Sequence, residues 1–370
     1  MLAPVAAADF GVDPVYIGVY MAAIYGIAAC SGLMSGGLIA RFGPIRVSQS
    51  CLVLSALALA CAALAHPAAL VANAILVGLS YGPPTPASTT MLTRGAPERS
   101  MNLLFSIRQT GVPLGNMLAG ALLPGFALTL GWRTTVLLLA AACLVLTVLV
   151  QPVRAAADAA RDPTHRVFGH NAVLGPLRLV FAQGELRRMA MVSLAYSGMQ
   201  SALGAFLVIY LHDDVGLPLV LAGVILSAAQ IGGAGGRVLW GIVADRLAPP
   251  RIVLGGLGLT MTAAALTTGV ITSSWPIAAV FAVCIVFGGS AVAWNGVYLA
   301  QVAKLAPPGR AGEVTGGTTF VTFSGVVLTP MVFSAIVSST GSYALAFAAV
   351  ATLTGVAGLS FFVARGKGRA

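Results

Sequence analysis

The chain has 370 residues, of which 58% are hydrophobic and only 8% charged, with a net charge of +10. A water-soluble domain carries roughly a quarter charged residues, so this composition excludes an ordinary soluble globular protein. The 44 glycines and 20 prolines do not mark disorder, because they fall inside apolar runs, where packed membrane helices tolerate them.

Residues 1–10 are apolar but too short to span a bilayer, and no basic residue precedes them, so they do not form a signal-peptide pattern. The first full span is predicted at 17–39, at the length of about 20 residues that a bilayer requires. Further spans are predicted at 47–65, 68–91, 101–127 and 134–150. A polar stretch at 151–183 interrupts the pattern. Apolar segments resume at 189–211, 219–244, 252–270, 276–302, 316–337 and 343–363. The expectation is an all-α polytopic membrane protein with eleven spans, five before the polar stretch and six after it. Its expected parts are a helix bundle over 1–151, a linker over 152–183 and a six-helix bundle over 184–370. Cys30, Cys51, Cys61, Cys143 and Cys284 all lie in apolar segments without ligand spacing, and read as buried thiols with no metal among them.

The basic residues set the orientation. Arg41, Arg46, Arg94 and Arg99 fall in or beside alternate short loops. Arg154, Arg161, Arg166 and Arg178 occupy the middle stretch, with Arg187 and Arg188 at the next helix start. Arg246, Arg251, Lys304, Arg310, Arg365, Lys367 and Arg369 continue the alternation. Opposite loops carry almost no Lys or Arg, apart from Arg133, and His212-Asp213-Asp214 is acidic. This positive-inside pattern predicts a cytoplasmic linker and C-terminus in a bacterial-type inner membrane. The net charge is thus a topology signal; it calls for anionic lipid heads and for no nucleic acid. Five spans before a cytoplasmic linker leave the first half one helix short. Residues 1–10 and Gly11-Val12-Asp13 read as the tail of a truncated first helix and its outer loop, with a genuine eleven-helix protein as the alternative.

Two charged turns organise the halves. Gly241-Ile-Val-Ala-Asp245-Arg246 follows one long apolar segment, and Gly36-Gly-Leu-Ile-Ala40-Arg41-Phe42-Gly43 lies about 205 residues earlier. The second-half turn, with Arg251 beyond it, resembles the loop motif of the major facilitator superfamily, a glycine four residues before an Asp-Arg pair. The first-half copy keeps Gly36, Arg41, Gly43 and Arg46, but Ala40 stands where the acid is expected. Gly111-Val-Pro113-Leu-Gly115 and Gly120 are similar to the superfamily's fifth-helix pattern in a shifted form. Phe105-Ser-Ile-Arg108-Gln109-Thr110-Gly111 and Trp294-Asn295-Gly296-Val297 resemble the bacterial permeases grouped with cyanate and organic-anion transporters. The resemblance implies two pseudo-symmetric helical bundles, here with about eleven spans instead of twelve, a central cavity open alternately to each side, and solute movement without ATP hydrolysis.

Asp245 and Arg246 end a span where a carboxylate can hold neighbouring helix starts, so they and Arg41 are gating candidates. Gly36, Gly43 and Gly241 permit tight turns and close helix approach. Arg108 lies roughly 13 Å along the axis from Arg99, and Arg237 roughly 12 Å from Asp245. A charge at such depth faces a cavity or a partner, and few acids are available to pair with either. Both are therefore candidate anion contacts, with snorkelling as the alternative. Gln109, Tyr81, Asn295, Trp294, Tyr196, Gln200 and Tyr25 complete the candidate substrate set, each equally able to bridge helices. Gly78, Tyr81, Pro83, Pro84 and Pro86 should break or bend their span.

Nothing in the sequence has the spacing of a catalytic or cofactor motif. His66, His165, His170 and His212 fall in predicted loops or at their edges and read as surface groups. No carboxylate lies near the middle of a span, and Glu313 is the one modest candidate for moving a proton. Coupling by a proton, exchange and uniport all stay open. The leading reading is a monomeric secondary transporter or facilitator of a small carboxylate-like anion. The alternatives are an exporter of apolar or cationic compounds, a non-transporting receptor, or an inactive truncated paralogue.

Overall fold

A computed structural model describes residues 17–167 and 171–363. Residues 1–10, His170, Arg365, Lys367 and Arg369 lie outside the described residues, and with them the expected remnant of a first helix. Every regular element that is described is helical. The first half holds α1 (Ile17–Phe42), α2 (Pro44–Ala63), α3 (Pro67–Tyr81), α4 (Pro84–Gly95), α5 (Met101–Leu130) and α6 (Trp132–Leu149). Short helices α7 (Arg154–Ala157) and α8 (Asn171–Ala182) follow α6. The second half holds α9 (Gly184–Ile209), α10 (Leu219–Arg246), α11 (Pro250–Thr268), α12 (Ile277–Ala291), α13 (Asn295–Leu305), α14 (Ala311–Thr340) and α15 (Tyr343–Val363).

Ten described segments are long and apolar enough to cross a bilayer, with α12 and α13 counted as one. The expected span at 68–91 is instead the pair α3 and α4, parted at Gly82 and Pro83. Proline supplies no N–H and clashes with the preceding turn, so the three prolines Pro83, Pro84 and Pro86 end one helix and start another.

The chain divides into two compact units. The first comprises residues 1–95, 114–186 and 303–323. In it α2 packs on α3 and α6, and α1 packs on α3. Ile39, Val47, Cys51 and Ala87 form one small core, and Trp132 with Val136 another. Gly78 allows α1 to approach closely, since a Cβ there would lie 2.6 Å from Ile27 Cβ. The late part of α5 and much of α6 present exposed apolar side chains, including Met117, Leu118, Leu122, Leu144 and Val148, a surface suited to lipid.

The second unit comprises residues 96–113, 187–302 and 324–370. Here α10 packs on α12, and α11 packs on α15. Lipid tails are as apolar as leucine, so such contacts depend on van der Waals fit and not on escape from water. An aromatic core supplies that fit: Phe333 stacks on Phe206 at 4.3 Å and meets Phe347 edge-on at 5.0 Å. The five cysteines are free thiols. Cys51 and Cys284 are buried as expected, Cys61 and Cys143 are half-buried, and Cys30 is exposed. That last position corrects the sequence reading: α1 buries the face carrying Ala28, Ala29 and Leu33, which turns Cys30 outward.

Candidate functional site

The second-half turn makes a defined contact. The Asp245 carboxylate accepts hydrogen bonds from the backbone N–H of Asn102 at 3.1 Å and of Leu103 at 2.8 Å. It also accepts one from the Asn102 side-chain amide at 2.8 Å. The first amides of a helix have no partner within it, and the helix dipole favours a negative charge there. Gly241 makes the approach possible, because a Cβ would lie 2.7 Å from Ser106 Oγ and 3.0 Å from Leu103 Cα. Arg246, beside Asp245, is exposed.

The first-half turn repeats the approach and lacks the acid. A Cβ on Gly36 would lie 2.9 Å from Glu313 Cα, so α1 meets the start of α14 as α10 meets that of α5. Ala40 offers no carboxylate. Arg41 reaches the His165 carbonyl at 3.5 Å and lies 5.5 Å from the centre of the Phe42 ring. Gly43 takes the left-handed φ of 90° that starts α2, and its missing side chain leaves room for Asp158. This linker acid accepts hydrogen bonds from the amides of Ile45 and Arg46 at 2.9 and 3.2 Å, with Arg154 3.6 Å away.

Arg237 is 3% exposed, the most buried charged side chain among the described residues of the second unit. Its Nε donates to the Val292 carbonyl at 3.0 Å, and a terminal nitrogen donates to the Gln109 carbonyl. It therefore bridges α10, α5 and the turn between α12 and α13. Arg108, half-buried one residue away from Gln109, donates to the Gln109 side-chain oxygen. The structure thus gathers Arg108, Gln109 and Arg237. Among their partners, Arg237 has two backbone carbonyls and Arg108 has a neutral amide oxygen, a weaker acceptor than a carboxylate.

A second group surrounds Gln200. Its side-chain oxygen accepts from Trp294 Nε1 at 3.2 Å and from Asn295 Nδ2 at 3.1 Å. Trp294 is fully buried, edge-on to Tyr196 at 5.7 Å and to Tyr298 at 5.0 Å. Tyr196 is also buried, and its hydroxyl donates to the Leu254 carbonyl at 2.8 Å, so it ties α9 to α11. In the first unit, Tyr25 and Tyr81 lie edge-on at 5.9 Å, and each ring is 5.7 Å from Phe323. The Tyr20 hydroxyl bonds to the Asn73 side chain and joins neither group.

Sequence reasoning missed Phe323, Asn102 and Asp158. Phe323 is one of several large apolar side chains in α14, so residue type alone does not separate it from a lipid-facing residue. Asn102 had a faint signal, since Ala96-Pro97 before α5 repeats as Ala306-Pro307 before α14. His66 caps α3 by accepting from the Ala68 amide at 3.2 Å, and His212 lies 2.9 Å from the Leu217 carbonyl. Among the described residues, no three His, Cys, Asp or Glu side chains are grouped to hold a metal.

The model of the Major Facilitator Superfamily matches residues 1–330 of this sequence. The chain belongs to the major facilitator superfamily. It is an all-α, multi-pass membrane protein of two pseudo-symmetric bundles, in a family of transporters and not of enzymes. It is 34% identical over 154 residues to the 4-hydroxybenzoate transporter of Acinetobacter baylyi, covering 40% of this chain and 33% of that one. It is 29% identical over 290 residues to the gallate transporter of Pseudomonas putida, covering 69% of this chain and 64% of that one. The matched part is thus under two thirds of the length of either relative. Among solved structures, the human organic anion transporter MFSD10 superposes with a TM-score of 0.77 at 19% identity, over 97% of this chain and 88% of that one. The E. coli fucose:proton symporter gives 0.76 at 15% identity, over 98% and 93%. At such identities these two likenesses bear on the fold alone.

Proposed function

We propose that this chain carries a small aromatic carboxylate across the cytoplasmic membrane as a secondary transporter, by alternating access. The observation that carries the reading is Arg108, a half-buried guanidinium well inside α5, hydrogen-bonded to the neutral side chain of Gln109. Its planar fork matches a carboxylate, and exchanging an amide oxygen for a charged one is favourable. The names of the two curated relatives support the substrate class, because 4-hydroxybenzoate and gallate are both hydroxylated aromatic acids. Arg237 holds the helices around Arg108 in place, and Asn295 and Gln200 are the adjustable polar groups of the same unit. Trp294 and Tyr196 shape its walls, and Tyr25 and Tyr81 are candidate contacts in the first unit.

The proposed topology is a helix bundle over 1–151, a cytoplasmic linker over 152–183 and a second bundle over 184–370 with its C-terminus in the cytoplasm. The gate is Asp245 with Gly241 and Arg246, and more weakly Arg41 with Gly36 and Gly43. Among the described residues, the acids lie at helix ends or between helices. Glu313 accepts from Arg310 at 2.7 and 2.8 Å, which makes it a poor proton carrier. Exchange, or a proton that enters on the substrate, therefore fits better than a dedicated protein carboxylate.

The test is ligand stabilisation of the purified protein by 4-hydroxybenzoate, gallate, benzoate, aliphatic mono- and dicarboxylates, and organic cations. Aromatic acids are expected to raise the unfolding temperature. Arg108→Lys should weaken binding, and Arg108→Gln should cost about 2–5 kcal/mol of binding energy where the pair is well desolvated. Stabilisation by cations alone, or an Arg108→Gln protein that binds anions as wild type does, rejects the reading.

A further inference from the structure

The internal repeat has one contact filled in the second half and empty in the first. The Ala96-Pro97 and Ala306-Pro307 steps put α5 and α14 in the same register, so Asn102 and Leu103 correspond to Gly312 and Glu313. The glycine contacts agree, since Gly241 meets Leu103 and Gly36 meets Glu313. In the second-half copy, the two amides are ligated by the Asp245 carboxylate at 3.1 and 2.8 Å. In the first-half copy, the corresponding position is Ala40. Glu313 cannot serve as the substitute, because its carboxylate is turned to Arg310 in a two-point pair.

A cavity of about 550 Å³ lies at this empty contact. Gly36, Ala40, Gly312 and Glu313 line one part of it, and Arg94, His165 and Arg166 another. Arg310 and Glu313 also border it and neutralise each other, which leaves the guanidinium groups of Arg94 and Arg166 as surplus positive charge. The volume is within the range of small-molecule sites. The start of the 30-residue helix α14 adds its own preference for a negative group.

We propose that this cavity binds a phosphate group, which takes the place of the missing carboxylate at the start of α14. Arg94 and Arg166 are its counter-charges, matched to the phosphate oxygens by their forked donors. The group comes either from a soluble phosphate or from a phospholipid head. Once bound, it ties α1 to the first turns of α14 as Asp245 ties α10 to those of α5, and so stabilises the conformation described here. The site shares no residue with the Arg108 cluster, and the proposal holds whether or not the aromatic-carboxylate reading does.

The test is thermal unfolding of the purified full chain. In detergent it is titrated with inorganic phosphate against chloride at constant ionic strength. In parallel it is measured in phosphatidylcholine nanodiscs with and without phosphatidic acid. Wild type is expected to gain stability from at least one of the two probes. A response to inorganic phosphate assigns a soluble source, and a response to phosphatidic acid alone assigns a lipid head. Ala40→Asp, which supplies its own carboxylate, should lose most of the response. Arg94→Gln and Arg166→Gln, both at exposed positions, should each raise the half-saturating probe concentration by about tenfold. The arginine variants decide the case alone if Ala40→Asp is too unstable to purify. A wild type that responds to neither probe, an Ala40→Asp that responds fully, or arginine variants that titrate unchanged would overturn the proposal.

Discussion

Asp245→Asn tests the gate with the smallest change of shape. The carboxylate accepts three hydrogen bonds at 2.8 to 3.1 Å from the start of α5. An Asn keeps one acceptor oxygen, loses the charge, and turns an NH2 group toward other donors. A helix cap is worth about 1 kcal/mol, and hydrogen bonds to charged groups about 1.5–3 kcal/mol when buried. Asp245 is only half-buried, so water recovers part of that, and a net loss of about 2 kcal/mol is expected. On the scale where 1.4 kcal/mol is tenfold, the balance between conformers with and without this contact shifts about 30-fold. Turnover that must pass through the contact-bearing conformer should slow by about tenfold or more. Binding should change less than about threefold, because Asp245 is roughly 12 Å along α10 from Arg237. The assay compares initial uptake into proteoliposomes with equilibrium binding of an aromatic acid. An uptake rate within about twofold of wild type, together with an unchanged unfolding temperature, refutes the gating role.

Gly241→Ala should destabilise by about 1–3 kcal/mol, since its Cβ would meet both Ser106 Oγ and the Leu103 backbone. Adding Ser106→Gly should restore only part of the loss in a thermal melt, and full restoration would show that the backbone contact does not matter. Arg237→Gln should lower the unfolding temperature more than Arg108→Gln, because it removes a charged donor from the Gln109 carbonyl and leaves the Val292 carbonyl only the long bond from Asn295, while Arg108→Gln should lower ligand affinity more. The reverse order in both measurements would exchange their assigned roles. Asp158→Asn should cost about 1 kcal/mol by uncapping α2, read as a lower unfolding temperature. An unchanged melt would mean that solvent caps those amides equally well.

Hydropathy and charge are sums over neighbouring residues, and whatever depends on them was legible without coordinates. The spans, the alternation of basic loops and the repeated glycine turn belong to this class. So does the break between α3 and α4, because proline acts on its own turn. Partners far apart in the chain leave no such trace. Arg237 read as a guanidinium without an acid to pair with, because the sequence hides backbone carbonyls, and in the fold it donates to those of Val292 and Gln109. Trp294 and Asn295 read as cavity residues, and only the packing of α9 brought Gln200 to them. The loss of the acid at Ala40 was visible in one dimension. Tertiary structure showed where that loss falls, a basic cavity at the start of α14, and that the nearby linker acid Asp158 caps α2 instead. A cap is chosen by distance between backbone amides and a carboxylate, and that distance is a property of the folded chain.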